Sequence, residues 1–163
     1  MTVVVDVQYV QEETAEAENG VPPPRDFERW VRAALSGRCE AGELTIRVVG
    51  WAEAATLNET YRRRSGPTNV LSFPVEDIAG MDVPLLGDLV ICAPLVAREA
   101  LEQHKTATSH WAHLTVHGTL HLLGYDHEEA DEAAVMEALE GDILAGLGYP
   151  DPYSGEKAAR AAS

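Results

Sequence analysis

The sequence predicts an α+β fold: a single domain in which about five helices pack on a small mixed β-sheet. Three observations lead there. The chain has 163 residues, 45% of them hydrophobic and 24% charged, which suits one soluble domain with a proper core. Strand-like and helix-like periods follow one another in the order β, α, β, α, β, β, α, α, α, which is neither strict βα alternation nor a pure helical pattern. Glycine and proline punctuate the joints between these segments, and no internal repeat or interdomain linker interrupts them.

Each element has its own warrant. Val3 to Val10 is rich in β-branched residues and reads as a strand. "PPPRDFERWVRAALSG" reads as a helix announced by proline and closed by Gly37. "ELTIRVVG" alternates, with Leu44, Ile46 and Val48 on one side. "WAEAATLNETYRRR" returns to a helical period, with Ala55, Leu57 and Tyr61 as its buried stripe. "SGPTNVLSFP" is a turn and a short strand bracketed by Pro67 and Pro74. Proline donates no ladder hydrogen bond, so this strand belongs at a sheet edge. "EDIAGMDVP" is a loop, "LLGDLVICAP" a fourth strand and "LVAREALEQHK" a helix. Thr108 to Leu123 is a long helix stopped by Gly124. "EEADEAAVMEALEGDILAGLG" is a last helix, with Ala134, Met136, Leu139, Ile143 and Leu144 as core candidates. The domain is expected to span 1–153, with 154–163 a small, polar, frayed tail.

Composition excludes several classes. The start lacks a basic n-region and a cleavage site, and the most apolar stretch is cut by Asp88 and prolines, so neither a signal peptide nor a membrane span is expected. Cys39 and Cys92 form no CxxC pair, which speaks against thiolate metal sites and disulfide scaffolds and for a reducing cytoplasm. Twelve Lys and Arg stand against 27 Asp and Glu, a formal net charge of −15. That balance opposes non-specific adhesion to nucleic acid or anionic lipid, so any RNA-binding reading needs positive charge gathered locally.

The stretch "HGTLHLLGYDH", residues 117–127, carries the chemistry. Residues four apart on a helix stand one above the other, so His117 and His121 converge on one ion. Gly124 ends the helix and turns the chain, which lets His127 swing back as a third ligand. Three neutral nitrogens with one coordination position open are the pattern of a catalytic zinc, one Zn2+ per chain, on a zincin-like helix. His110 and His113 lie on the same helical face and are expected to be structural or supporting. Asp126 or Glu128 could orient a ligand imidazole, with helix capping the stronger role for Glu128.

The offsets match the zincin peptidase motif HExxHxxGxxH, but Gly118 stands where a peptidase has its general-base glutamate. A glycine inside a helix costs about 1 kcal/mol, so it answers a need either for room beside the metal or for close helix packing. The densest positive charge is Arg62, Arg63 and Arg64, ahead of the edge strand with Ser72 and Thr68. Arginine's planar fork suits a phosphodiester oxygen. Helical neighbours point about 100° apart, so Arg62 is favoured as catalytic, while Arg63 and Arg64 steer the backbone and Ser72 adds a hydrogen bond.

"LNETYRRRSGPTNVLSFP", "LLGDLVICAP" and "HWAHLTVHGTLHLLGYDH" together resemble the bacterial YbeY family of endoribonucleases, with the signature HGxLHLxGYDH intact at 117–127. The resemblance runs from "TIRVVG" to "LGYPDPY". It implies a zinc held by His117, His121 and His127, and cleavage of single-stranded RNA. It also implies a role in ribosomal RNA maturation, notably the 16S 3′ end, in ribosome quality control, and partnership with the small ribosomal subunit. By the N-x-x-Y-R context, the family's functional arginine corresponds to Arg62. Two other readings stay open: a non-enzymatic ribosome assembly factor with a structural zinc, and a metallopeptidase, which Gly118 disfavours.

Overall fold

The structure is a computed structural model that describes residues 2–10, 20–62, 68–75, 84–126 and 129–153, the Arg62 side chain excepted. Its elements are β1 (Thr2–Tyr9), α1 (Pro24–Leu35), β2 (Ala41–Val49), α2 (Trp51–Arg62), β3 (Val70–Pro74), β4 (Leu85–Cys92), α3 (Ala93–Glu102), α4 (Ala107–Leu122) and α5 (Ala130–Leu147). The expected α+β class and element order are both present. The four-stranded sheet runs β1-β2-β4-β3, with β1 parallel to β2, β2 parallel to β4, and β3 antiparallel to β4. β3 lies at the edge, as its flanking prolines require.

Strand alternation divides the chain's apolar residues between two cores. Leu44, Ile46 and Val48 of β2 and Leu89 and Ile91 of β4 face α1, α4 and α5 in the main core. There Phe27 meets Trp30 and Trp111 edge-on, at centroid distances of 5.6 and 5.7 Å, which joins α1 to α4. Val49, Val90, Cys92 and Leu71 point the other way and meet Ala54 of α2 and Leu95 of α3 in a smaller cluster. Among the described residues, the sheet's second face is therefore only partly roofed.

Two helix stripes differ from expectation. On α2 the buried positions are Ala54 and Asn58, and Tyr61 is 64% exposed. The buried side of the helix is turned by about one residue from that expectation: among the described residues its last turn meets Phe73 at the sheet, which leaves most of the Tyr61 ring uncovered. On α5, Met136 and Leu144 are buried and Leu139 and Ile143 partly so, but Ala134 is exposed. Glu140 and Gly141 are buried in that helix instead.

α4 is the central helix. From Trp111 to Leu122 every residue is buried except His113, His117 and His121, which recur at every fourth position and are partly exposed. The buried hydroxyls of Thr115 and Thr119 donate to the carbonyls one turn back, at 2.8 and 2.7 Å, so this nearly apolar cylinder leaves neither side chain unsatisfied. Thr106 caps the start by accepting the Ser109 N–H at 3.1 Å, and Gly124 takes φ +102° just past the end.

Candidate metal centre

The histidine stripe faces α5 and the segment that follows it. α5 closes at Gly148, whose φ of +92° reverses the chain so that residues 149–153 return along the helix. Gly141 makes room for that return: a Cβ there would lie 3.2 Å from the Asp151 carboxylate. Asp151 Oδ1 accepts the Tyr153 N–H at 2.9 Å and fixes the turn. Tyr153 thereby reaches the interior beside Glu140 and His113.

Glu140 is the centre of this arrangement and is fully buried. One of its oxygens accepts a short hydrogen bond from His117 Nδ1 and the other accepts one from the Tyr153 hydroxyl. His113 Nε2 lies 3.2 Å from that hydroxyl and 3.7 Å from the carboxylate. Burial, the largest single influence, pushes the Glu140 pKa up. Hydrogen bonds from His113, His117 and Tyr153, with the His117 charge, outweigh it and bring the group down from 4.5 to about 2. The same burial pushes the His113 pKa down, against its attraction to Glu140.

The tautomer of His117 follows. An ionised carboxylate only accepts, so the hydrogen on the His117–Glu140 contact sits on Nδ1. When the ring is neutral, the Nε2 lone pair is then the one presented on its opposite edge, the form an imidazole ligand takes. One turn further, the His121 ring stands 4.6 Å from that of His117 at 80°. His113, His117 and Glu140 also offer ligand atoms within 4.8 Å of one another and could hold a metal ion. Against a direct role for Glu140, both of its oxygens already take hydrogen bonds. The donor set of neutral imidazoles backed by a carboxylate fits zinc or a neighbouring divalent ion.

Gly118 is explained by packing. A Cβ there would meet Leu89 Cδ2 at 2.8 Å, Leu89 Cδ1 at 3.1 Å and Val70 Cγ2 at 3.4 Å. The position faces the sheet, and the helix lies so close to β4 and β3 that any Cβ here would push the Leu89 side chain aside. Installing the peptidase glutamate by Gly118→Glu would force a carboxylate against fully buried Leu89. We expect a loss of about 3 kcal/mol or more from overpacking and an unpaired buried charge, read as a lower urea midpoint, with no gain of peptidase activity. An unchanged midpoint would refute this account of the glycine.

The other expected site residues are placed as follows. Ser72 lies on the β3 face that meets α4, its hydroxyl 3.5 Å from the Gly118 carbonyl. Arg62 ends α2, and its side chain lies outside the described residues, as do Arg63, Arg64, His127 and Glu128. His110 sits 2.9 Å from Glu99, which accepts from Asn69 at 3.1 Å and so ties the start of β3 to α3 and α4. Glu140 and Tyr153 were not anticipated from sequence. In "MEALEGDIL" Glu140 stands between Glu137 and Asp142, and nothing local distinguishes the buried acid from its two more exposed neighbours.

Comparison with known proteins agrees with the motif. The family model described as Endoribonuclease YbeY matches residues 9–148. A protein of Nitrosococcus oceani named Endoribonuclease YbeY is 57% identical over 155 residues, covering 94% of this chain and 98% of that protein. One of the same name from Alkalilimnicola ehrlichii is 58% identical over 153 residues, covering 91% of this chain and 90% of the relative. Identity at this level, across nearly the whole length of both chains and through the histidine helix, shows that this chain belongs to the YbeY endoribonuclease family.

Proposed function

We propose that this chain is a zinc-dependent endoribonuclease that cleaves single-stranded RNA and acts on ribosomal RNA, at the 16S 3′ end and in ribosome quality control, in the cytoplasm. The ligands are His117, His121 and His127, with one ion per chain. The observation that carries this reading is the partly exposed histidine stripe on a buried helix, with His117 held in the ligand tautomer by Glu140. A divalent ion bound there supplies Lewis acidity toward a phosphodiester. The chain's own residues do the rest. Glu140 and Tyr153 fix the ring that faces the ion, and Arg62 neutralises charge on the phosphodiester as it develops, with Arg63, Arg64 and Ser72 holding the strand.

The test is metal content per chain measured beside cleavage of single-stranded and duplex RNA on nuclease-free protein. One metal per chain with cleavage of the single strand is expected. Arg62→Ala should retain the metal while cleavage falls by about 10²–10³-fold, the usual cost of one transition-state donor. Cleavage at the wild-type rate by this variant would remove the arginine from the mechanism.

The net charge of −15 favours a second reading, a ribosome assembly factor with a structural zinc that associates with the small subunit without cutting RNA. A metal-bound wild type that leaves every RNA uncut would decide for it.

A further inference from the structure

The sheet face turned away from the histidines holds a cavity of about 590 Å³ between α2 and strands β2, β3 and β4. Its size is that of a small-molecule site. Tyr61 forms an aromatic wall, packed edge-on against Phe73 at 5.1 Å and 76° and 64% exposed. Leu57 and Val90 extend the apolar lining. Across the cavity, Arg47 donates to both oxygens of Glu53 at 2.6 and 2.8 Å, so this pair is neutralised and rigid. Asp88 is exposed, and no hydrogen bond or ion pair to its carboxylate is formed among the described residues.

This chemistry selects one kind of ligand. The lining carries one uncompensated negative charge, which repels phosphate. It also offers an aromatic face for stacking and an acceptor-only carboxylate for N–H donors. We propose that the cavity binds an unpaired nucleobase of the RNA substrate, with guanine preferred, because guanine's N1–H and N2–H can meet one carboxylate together. Uracil's single N–H lies between two carbonyls that the carboxylate repels.

The connection to the proposed catalytic site is one strand wide. Ser72 and Phe73 are successive residues of the edge strand, Ser72 on the α4 side and Phe73 on the cavity side. Tyr61 likewise directly precedes Arg62 on α2. A single strand crossing β3 would set a phosphodiester on the histidine side and a base further along in the cavity. A duplex keeps its bases paired and has none to insert. The role of the pocket in cleavage rests on the ribonuclease reading; the binding of a base does not.

The experiment uses guanosine and uridine, which lack phosphate and so do not report on the metal site. NMR titration of the full chain should shift Tyr61, Phe73 and Val90 with guanosine and much less with uridine. Tyr61→Leu should weaken guanosine about tenfold or more, and raise KM for single-stranded RNA by a similar factor with a smaller effect on kcat. Asp88→Asn should erase the preference for guanosine. Equal, weak responses to both nucleosides, or wild-type affinity in both variants, would overturn the proposal, as would shifts produced only by a protein partner. Guanosine seated in the cavity of a protein that cuts no RNA would uphold the pocket and refute the nuclease reading.

Discussion

If His121 is a ligand, as proposed, His121→Ala is expected to release the metal and to lower RNA cleavage by more than about a hundredfold, since losing a ligand exceeds the 10–100-fold that loss of an outer partner costs. The fold should persist. His121 is partly exposed on α4, and its ring meets that of His117 across a face that is not part of the main core. Truncation therefore leaves no large cavity among the buried residues. Metal per chain, circular dichroism and cleavage measured on one preparation check the three statements separately. A variant that keeps its metal would remove His121 from the ligand set. One that loses metal but cleaves at the wild-type rate would remove the metal from the reaction.

Glu140 should show the opposite balance, with a large effect on stability and a smaller one on metal binding. Glu140→Ala removes the carboxylate that accepts from His117 and Tyr153 in a fully buried position, and leaves both donors without it. Breaking a buried hydrogen-bonded charge network of this kind costs about 3–5 kcal/mol, which a urea titration would read as a markedly lower midpoint. Glu140→Gln keeps the volume but presents an NH₂ to one of two donors, so one contact is lost and the His117 tautomer is no longer enforced. Metal affinity, measured by chelator competition, should then fall about 10–100-fold with the His ligands intact. Wild-type affinity in Glu140→Gln would show that the carboxylate supports the fold alone.

What was legible in the sequence was local. The spacing of His117 and His121 is a property of one helix, and the stop at Gly124 is a property of one residue's allowed backbone, so both could be read without knowing the fold. The edge position of β3 followed from two prolines, and the inward side of β2 from its alternation. The buried side of α2 was misjudged at Tyr61 because periodicity ranks the faces of a helix but does not say how much sheet lies beneath each turn.

By itself, then, the sequence determined the class of the fold, the family, and a histidine stripe able to meet an ion, since each depends on order or spacing along the chain. Only the tertiary structure decided that Glu140 and Tyr153 hold His117, that Gly118 serves contact with Leu89, and that a cavity opens beneath Tyr61. The physical reason is separation. His117 and Glu140 are 23 residues apart, and they meet because α5 packs on α4 and the chain after Gly148 folds back. Such contacts arise from how faces are buried together, which no local pattern encodes.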